Sequence, residues 1–423
     1  MRGGLHLFAR KQFPTVRSIT AASVPPRLTL TLRSHEVAVE ILVATGEEVL
    51  LGQTLARSKM AVLHAPVSGR IVAIEVDGAL CTVTVENDGR DRPHAGVQPI
   101  VAPERLAPTI VRERIAQAGI VGLGGACFPT ATKLDLASNS HVRLLIINGA
   151  ECEPFIACDA ALMREQAAEV VFGTKMLLHA SGATRAIIAI ESDKDEAIAS
   201  IVQALAAEDK QRLSLQILNA RYPTGGEHQL IELITGREVP TGGTPADIGV
   251  LCHNVGTAAA ICRLVKSGEP LISRVITVTG HGISEPRNLL ARLGTPIASL
   301  IADCGGYKGN PVKLILGGSM MGMTLPSDTA TVSAATNCIV VALPQDLAPR
   351  GVEMPCIRCG DCATACPAGL LPQQLLRYAQ AHDRAALNEL GLRDCIECGC
   401  CDYVCPSQIP ITAQLHKAKQ AAP

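Results

Sequence analysis

The chain has 423 residues, room for two or three domains of about 100–200 residues and a sizeable core, which excludes a small stapled mini-protein. Hydrophobic residues make up 48% and charged residues 18%, yet no uninterrupted apolar run reaches bilayer-spanning length, so a multi-span membrane protein is excluded too. Lys plus Arg number 38 against 39 Asp plus Glu, a net charge of −1, and aromatics are 2% with no Trp; without a basic field or stacking rings, the chain is not expected to bind nucleic acid.

Residues 1–27 read as an N-terminal extension, basic at its start but lacking the apolar segment of a secretory signal, so the mature chain is expected to stay in the cytoplasm. Residues 28–100 are β-rich: Leu28-Thr29-Leu30-Thr31-Leu32 alternates with period two, and Gly46, Gly52, Gly69 and Gly78 punctuate short Val/Ile runs. The stretches 46–53 and 64–72 resemble the biotinyl/lipoyl hybrid-barrel family. In that family a hairpin Lys is the attachment point, and Lys59-Met60 lies close to that place; an unmodified barrel used for docking is the sharper reading. Residues 101–270 alternate helix and strand: a helix over 103–119, a buried strand over 144–147, a helix over 161–180, a strand over 185–190, a helix over 194–207 and a strand over 213–218. That alternation predicts an α/β domain with a largely parallel sheet. A second β-containing module spans 271–342, a Pro-bearing linker 343–355, and a cysteine-dense domain 356–423.

Of 17 cysteines, 9 fall between Cys356 and Cys405, a crowding that suits a metal framework in a reducing compartment better than disulfides. Cys356, Cys359, Cys362 and Cys366-Pro367 form a run with the spacing Cys-x-x-Cys-x-x-Cys-x-x-x-Cys-Pro, and Cys395, Cys398, Cys401 and Cys405-Pro406 repeat it. In such a run three thiolates wrap one [4Fe–4S] cube and the fourth, before Pro, reaches the other cube. Cys356, Cys359, Cys362 and Cys405 are therefore assigned to one cluster, and Cys366, Cys395, Cys398 and Cys401 to the second. A zinc ribbon shares the Cys-x-x-Cys pairs, but two full copies each ending in Cys-Pro favour clusters. Cys400 receives no ligand role.

Gly122, Gly124 and Gly125 with the following Lys133 form a glycine-rich loop in which backbone amides can approach a phosphate and a Lys adds charge. The loop is not the Gly-x-Gly-x-x-Gly dinucleotide fingerprint, and alone a structural turn explains it about as well. The stretch 148–154, Asn-Gly-Ala-Glu-Cys-Glu-Pro, follows a strand end, where α/β sheets bind ligands. The stretches 222–230, 241–243 and 253–257 add further glycine-bearing loops, and one flat, phosphorylated ligand would use them together.

GLGGACFPTATK, INGAECEP, YPTGGEHQL, NVGTAAAI, GEPLISRVITVTG, CIRCGDCATACPAGLLPQQL and DCIECGCCDYVCPSQIP together make the chain similar to the RnfC component of the ion-translocating Rnf complex, from about Leu28 to Lys419. The resemblance implies a multidomain α/β protein: a β hybrid barrel, an α/β domain related to the flavin-bearing, NADH-binding subunit of respiratory complex I, a β-grasp module and an α-helical two-cluster ferredoxin domain. It further implies that Gly122, Gly124, Gly125 and Lys133 hold noncovalent FMN, that Asn148, Gly226, Glu227, Asn254 and Thr257 line the flavin, and that Glu153 meets NAD(H) and serves catalysis. Cys127 stands where the family usually has Gly, and His253 where an amide side chain is common.

The chemistry is coherent without the name: nicotinamide moves two electrons as hydride, a [4Fe–4S] cluster passes one, and a flavin converts between them. The expected protein is an NAD(H)-, FMN- and cluster-dependent oxidoreductase subunit. It would lie peripherally on the cytoplasmic side of a bacterial inner membrane, docked to the other subunits of an Rnf-type complex and exchanging electrons through them with ferredoxin-type carriers. Alternatives are a soluble cobalamin reductase of a propanediol-utilisation microcompartment, or a non-catalytic iron–sulfur adaptor with a decayed flavin site.

Overall fold

The alternation of Arg27–Arg33 puts Leu28, Leu30 and Leu32 inside and polar partners outside, the signature of a strand with one buried face. In this computed structural model, which describes residues 2–11, 17–33, 39–347 and 351–421, that strand pairs antiparallel with Leu80–Asn87. Leu80–Asn87 pairs in turn with Gly69–Asp77, and a three-stranded sheet of Glu40–Ile41, Thr54–Arg57 and Val62–His64 completes the barrel. Lys59 and Met60 sit exposed at the tip of the hairpin joining the last two strands.

The near-continuous apolar run Leu144–Gly149 is buried on both faces, as a central parallel strand requires. The sheet order is Leu213–Leu218, Arg185–Glu191, Leu144–Gly149, Val250–Asn254, all parallel. The chain therefore moves outward on one side of Leu144–Gly149 and returns on the other side as Val250–Asn254. The crevice beyond the carboxyl ends of these two strands is the switch point where such sheets bind ligands.

Two helices expected as single elements are broken. The stretch 103–119 is a 3-10 turn, Pro103–Arg105, followed by a helix, Pro108–Gln117, because Pro108 holds Ala107 extended at φ −60°, ψ 141°. The stretch 161–180 divides at Gln166 into Cys158–Glu165 and Ala167–Ser181, and the first of these begins earlier in the chain than periodicity indicates. Gln166 leaves helical geometry at φ −124°, ψ 33°, so the first helix packs on Asp195–Leu205 and the second on Val255–Ser267.

The second module is a mixed sheet. Ser273–Thr279 pairs antiparallel with Arg287–Arg292 and parallel with Cys338–Ala342, which is followed by Lys313–Leu316 and Met323–Leu325. Thr20–Ala21, from the stretch read as an extension, adds a short parallel edge beside Arg287–Arg292. In the cysteine-dense part, the short helices Asp361–Ala365 and Cys400–Tyr403 pack on each other, one from each run. Leu375, Leu387, Leu392, Ile411 and Leu415 form its small core.

Residues 2–11 lace across these parts. Gly4 N donates to Ala365 O at 2.9 Å, Leu5 and Tyr222 exchange backbone hydrogen bonds, and Phe155 N donates to Ala9 O at 2.9 Å. Among the described residues no helix is long and apolar enough to cross a membrane.

Candidate flavin and cluster sites

The glycine loop lies against the carboxyl end of the parallel sheet, with Gly124 beside Asn254. It is closed at its base, where Gly122 N donates to Phe128 O at 2.8 Å and Thr130 N to Ile120 O at 3.1 Å. Its tip, Gly124 to Ala126, is exposed. Gly125 has φ 111°, a conformation L side chains rarely adopt, and a Cβ there would meet nothing within 4 Å, so the loop backbone faces open space. Fully buried Thr257 braces the loop from below, accepting from Leu123 N at 3.0 Å. Arg274, 3% exposed, donates to Leu123 O at 3.1 Å. Sequence reasoning misses Arg274, although an Arg inside a strand of Val and Ile is a visible signal.

Around the loop the switch-point side chains converge. Asn254 caps the helix Val255–Ser267 by accepting from Gly256 N at 2.8 Å, and its Nδ2 donates to Asp159 Oδ2 at 2.6 Å. Asn148 Nδ2 donates to Gly225 O at 2.9 Å, tying the end of the central strand to the 222–227 segment. Gly226 opens the helix Glu227–Thr235, and Lys133 Nζ lies 2.6 Å from Glu227 Oε2 and 3.2 Å from Cys252 O. Two helix N-termini and one lysine thus surround the loop, an arrangement that favours an anion.

Cys127 takes φ 52°, the left-handed region where glycine is at ease, and burial pushes its thiol pKa up. His253 is buried, its pKa pushed down to about 3 by desolvation and then by Lys133.

Glu153 is held by a different element. Its Oε1 accepts from Met320 N at 2.6 Å and Met321 N at 3.0 Å, beneath the 317–322 turn of the second module, and desolvation raises its pKa. A Cβ on Gly318 would collide with Glu153 Cγ, so that turn closes directly over the carboxylate. Glu151, Cys158 and Asp159 bring ligand atoms within 4.8 Å of one another. Lys11 already approaches Glu151 Oε2 at 3.8 Å, and Glu151 Oε1 accepts from Asp159 N at 2.8 Å, so the group is an internally paired cluster. Burial and the neighbouring Glu151 raise the Asp159 pKa to about 7.

The two cysteine runs fold into each other. Cys366 lines one small cavity together with Cys395, Cys398 and Cys401, and Cys400, fully buried, borders the same cavity. Elsewhere in the same domain Met354 N donates to Ser407 O at 2.9 Å and Ser407 Oγ to Pro355 O at 2.9 Å, pairing the chain just before Cys356 with the chain just after Cys405. Cys356 and Cys359 are exposed, whereas Cys398 is buried. Tyr222, which in the sequence is only one member of a glycine-bearing loop, is 2% exposed and donates from its hydroxyl to Cys398 O at 2.6 Å.

The residues present fit the two kinds of group. All described cysteines are free thiols, a soft donor set suited to iron–sulfur ligation. On the segments carrying Lys133, Glu227 and Asn254, the buried Thr130 Oγ1, Gln229 Oε1 and His253 Nε2 lack a protein partner, which suits a polar ligand there.

Fold and sites define a modular redox protein, with a flavin-type α/β domain and a two-cluster domain in one chain. Family models agree module by module: residues 1–90 match the RnfC barrel sandwich hybrid domain, 115–263 the Nuo51 FMN-binding domain, 275–324 the SLBB domain and 355–409 the 4Fe-4S dicluster domain. The chain is 40% identical over 432 residues to the RnfC component of the ion-translocating oxidoreductase complex of Rhodobacter capsulatus, covering 99% of this chain and 82% of that one. It is 43% identical over 406 residues to the corresponding protein of Vibrio cholerae, covering 93% of this chain and 52% of the relative. The chain belongs to the RnfC family of ion-translocating oxidoreductase complex subunits. It spans about half the length of the Vibrio cholerae relative. An NAD+-reducing [NiFe]-hydrogenase structure shares the fold, with a TM-score of 0.51 at 18% identity over 76% of this chain and 62% of that one. Family membership favours the complex subunit over the cobalamin reductase or adaptor alternatives, and the domain matches bear out FMN and two [4Fe–4S] clusters as the expected cofactors.

Proposed function

We propose that the chain is an electron-transfer subunit of a membrane-bound, ion-translocating complex, passing electrons between NAD(H), FMN and two [4Fe–4S] clusters. Supporting this reading above all is the meeting, at one switch point, of the open glycine loop, two helix N-termini and the Lys133–Glu227 pair, in the same chain as two interlocked cysteine runs. In it, the amides near Gly122, Gly124 and Gly125 and the charge of Lys133 hold the FMN phosphate. Asn148, Gly226, Glu227, Asn254 and Thr257 shape the wall, several of them by fixing the backbone and not by direct contact. Glu153 acts in nucleotide binding through the turn it fastens. Cys356, Cys359, Cys362 and Cys405 hold one cluster, and Cys366, Cys395, Cys398 and Cys401 the other. The flavin, when bound, interconverts two-electron and one-electron transfer.

The division into barrel, flavin domain, β-grasp module and cluster domain at 28–100, 101–270, 271–342 and 356–423 belongs to the same proposal. So does a peripheral position on the cytoplasmic side of the inner membrane, with electrons exchanged through partner subunits with ferredoxin-type carriers. The test is anaerobic purification under flavin-replete conditions. Denaturation should release free FMN, iron should approach about eight atoms per chain, and NADH should bleach the flavin. Protein with full iron and no flavin would sink the reading.

A further inference from the structure

Tyr222 sits where the two sites meet. Four residues after it Gly226 opens the helix that carries Glu227, and Gly225 O accepts from Asn148, so this short stretch is part of the flavin-site wall. Its own ring packs where the N-terminal strap and the cluster domain meet the flavin domain and the second module, with Cys152 and Met320 alongside and the Glu153 carboxylate also within its reach. Almost fully buried, it lies with Leu5, Ala365, Cys398 and Cys400, and its hydroxyl donates to Cys398 O at 2.6 Å across 176 positions of sequence.

Its backbone is held as well. Leu5 N donates to Tyr222 O at 2.7 Å and Tyr222 N to Leu5 O at 2.9 Å. The neighbouring Gly4 N donates to Ala365 O, the residue before Cys366. Gly3, at φ 55°, lies so close that a Cβ would collide with Cys366 O. The same cavity is thus gripped twice, through Cys398 by the tyrosine and through Cys366 by the N-terminal strap. The Cys356–Cys359 side is open instead, with Cys356 and Cys359 exposed and Val352 and Ile357 beside them 86% and 65% exposed.

We propose that Tyr222 is a positioning residue that fixes the less exposed cluster, that of Cys366, Cys395, Cys398 and Cys401, against the flavin site. That cluster is then the first electron acceptor, and the exposed one the exit. The inference rests on the function proposed above. With FMN bound, hydride from NADH would break the nicotinamide C–H bond and bring two electrons and one proton to the flavin, from which the electrons would leave singly. Two one-electron transfers to the less exposed cluster would return the flavin to its oxidised state, each reducing the cluster by one electron, while the proton that arrived with the hydride would leave the flavin to solvent and none would be taken by Tyr222. To accept the second electron, that cluster would first have to pass the first on to the exposed cluster. The hydroxyl contributes by holding the Cys398 peptide, whose orientation and dryness tune the cluster it ligates.

The test uses full-length, cluster- and flavin-loaded Tyr222→Phe, which keeps the ring and removes the hydroxyl. After chemical reduction by dithionite, low-temperature paramagnetic resonance and redox titration read both clusters without NADH. The signal and midpoint potential of the cluster lost in Cys366→Ala should move, while those of the other stay in place. In stopped flow, NADH should still bleach the flavin, and the following cluster reduction should slow by about fivefold, the scale of one hydrogen bond. Gly3→Ala, acting from the strap, should perturb the same cluster and carries the test if Tyr222→Phe does not fold. Unchanged signals and potentials in both variants would overturn the proposal. So would a change confined to the cluster that survives Cys366→Ala, or slowed flavin bleaching with both cluster signals intact. Failure of NADH to bleach the wild-type flavin would strike the function proposed above and leave the dithionite comparison standing.

Discussion

The hydroxyl of Thr257 accepts from Leu123 N at 3.0 Å and donates to Val121 O at 3.4 Å, so one buried side chain from the helix Val255–Ser267 pins the entry to the glycine loop. Thr257→Val keeps the volume and leaves the Leu123 amide without its acceptor, a cost of about 1–3 kcal/mol. Flavin affinity should fall by about two- to tenfold if half of that cost is felt by the bound state. Fluorescence titration of FMN into the flavin-depleted variant checks this, and unchanged affinity would show that the loop is held by other means.

Lys133 brings a cation to the switch point, and Glu227 shares it. Lys133→Met should weaken FMN retention about tenfold, the scale of a charge-assisted hydrogen bond. Glu227→Gln, which leaves the lysine free for a phosphate, should weaken it less. A double-mutant cycle on flavin affinity measures the difference; a larger loss for Glu227→Gln would mean that the carboxylate, not the ammonium, faces the ligand.

Cys127 holds left-handed backbone geometry that costs a non-glycine residue about 1 kcal/mol. Cys127→Gly is therefore expected to raise stability by roughly that amount and to bind FMN at least as tightly. Denaturant titration and flavin content read the two effects. Weaker flavin binding would reveal a role for the thiol.

The crossed ligand assignment separates two variants. Cys366→Ala should remove the cluster shared with Cys395, Cys398 and Cys401, whereas Cys405→Ala should remove the one shared with Cys356, Cys359 and Cys362. Iron should fall towards half in each, with opposite paramagnetic signals surviving. Loss of the first-run cluster in Cys366→Ala would assign each run its own cube.

Burial pushes the pKa of His64 down to about 4 and that of His253 to about 3, whereas an unfolded imidazole titrates near 6.5. Below pH 6.5 the unfolded chain therefore binds more protons than the native one, and stability falls as pH drops towards about 4; above pH 7 these groups add no pH dependence. Between pH 7 and 5 the loss is about 2 kcal/mol for each histidine. Denaturation midpoints at pH 7 and 5 should differ less in His64→Asn and His253→Asn than in wild type, and an equal difference would mean that neither imidazole is kept neutral.

The two cysteine runs, the parallel-sheet strands and the barrel alternation are legible because spacing and periodicity are local properties written directly along the chain. The strand 213–218 is read with the limits it adopts, since a short apolar run between turn signals needs no distant partner to be recognised. The glycine loops are also visible, but their convergence is not, because nothing local says that Thr257 will sit under Leu123 or that Lys133 will be shared with Glu227. The helix broken at Gln166 follows the demands of two different packing partners, which periodicity cannot see. By itself the sequence determined the kinds of module and the chemistry of their ligands. Only the tertiary structure decided that Glu153 is fastened under the 317–322 turn, that Thr20–Ala21 edges the second sheet, and that Tyr222 reaches Cys398. Each of these depends on contacts between residues far apart in the chain, and their energy exists only once the domains have packed.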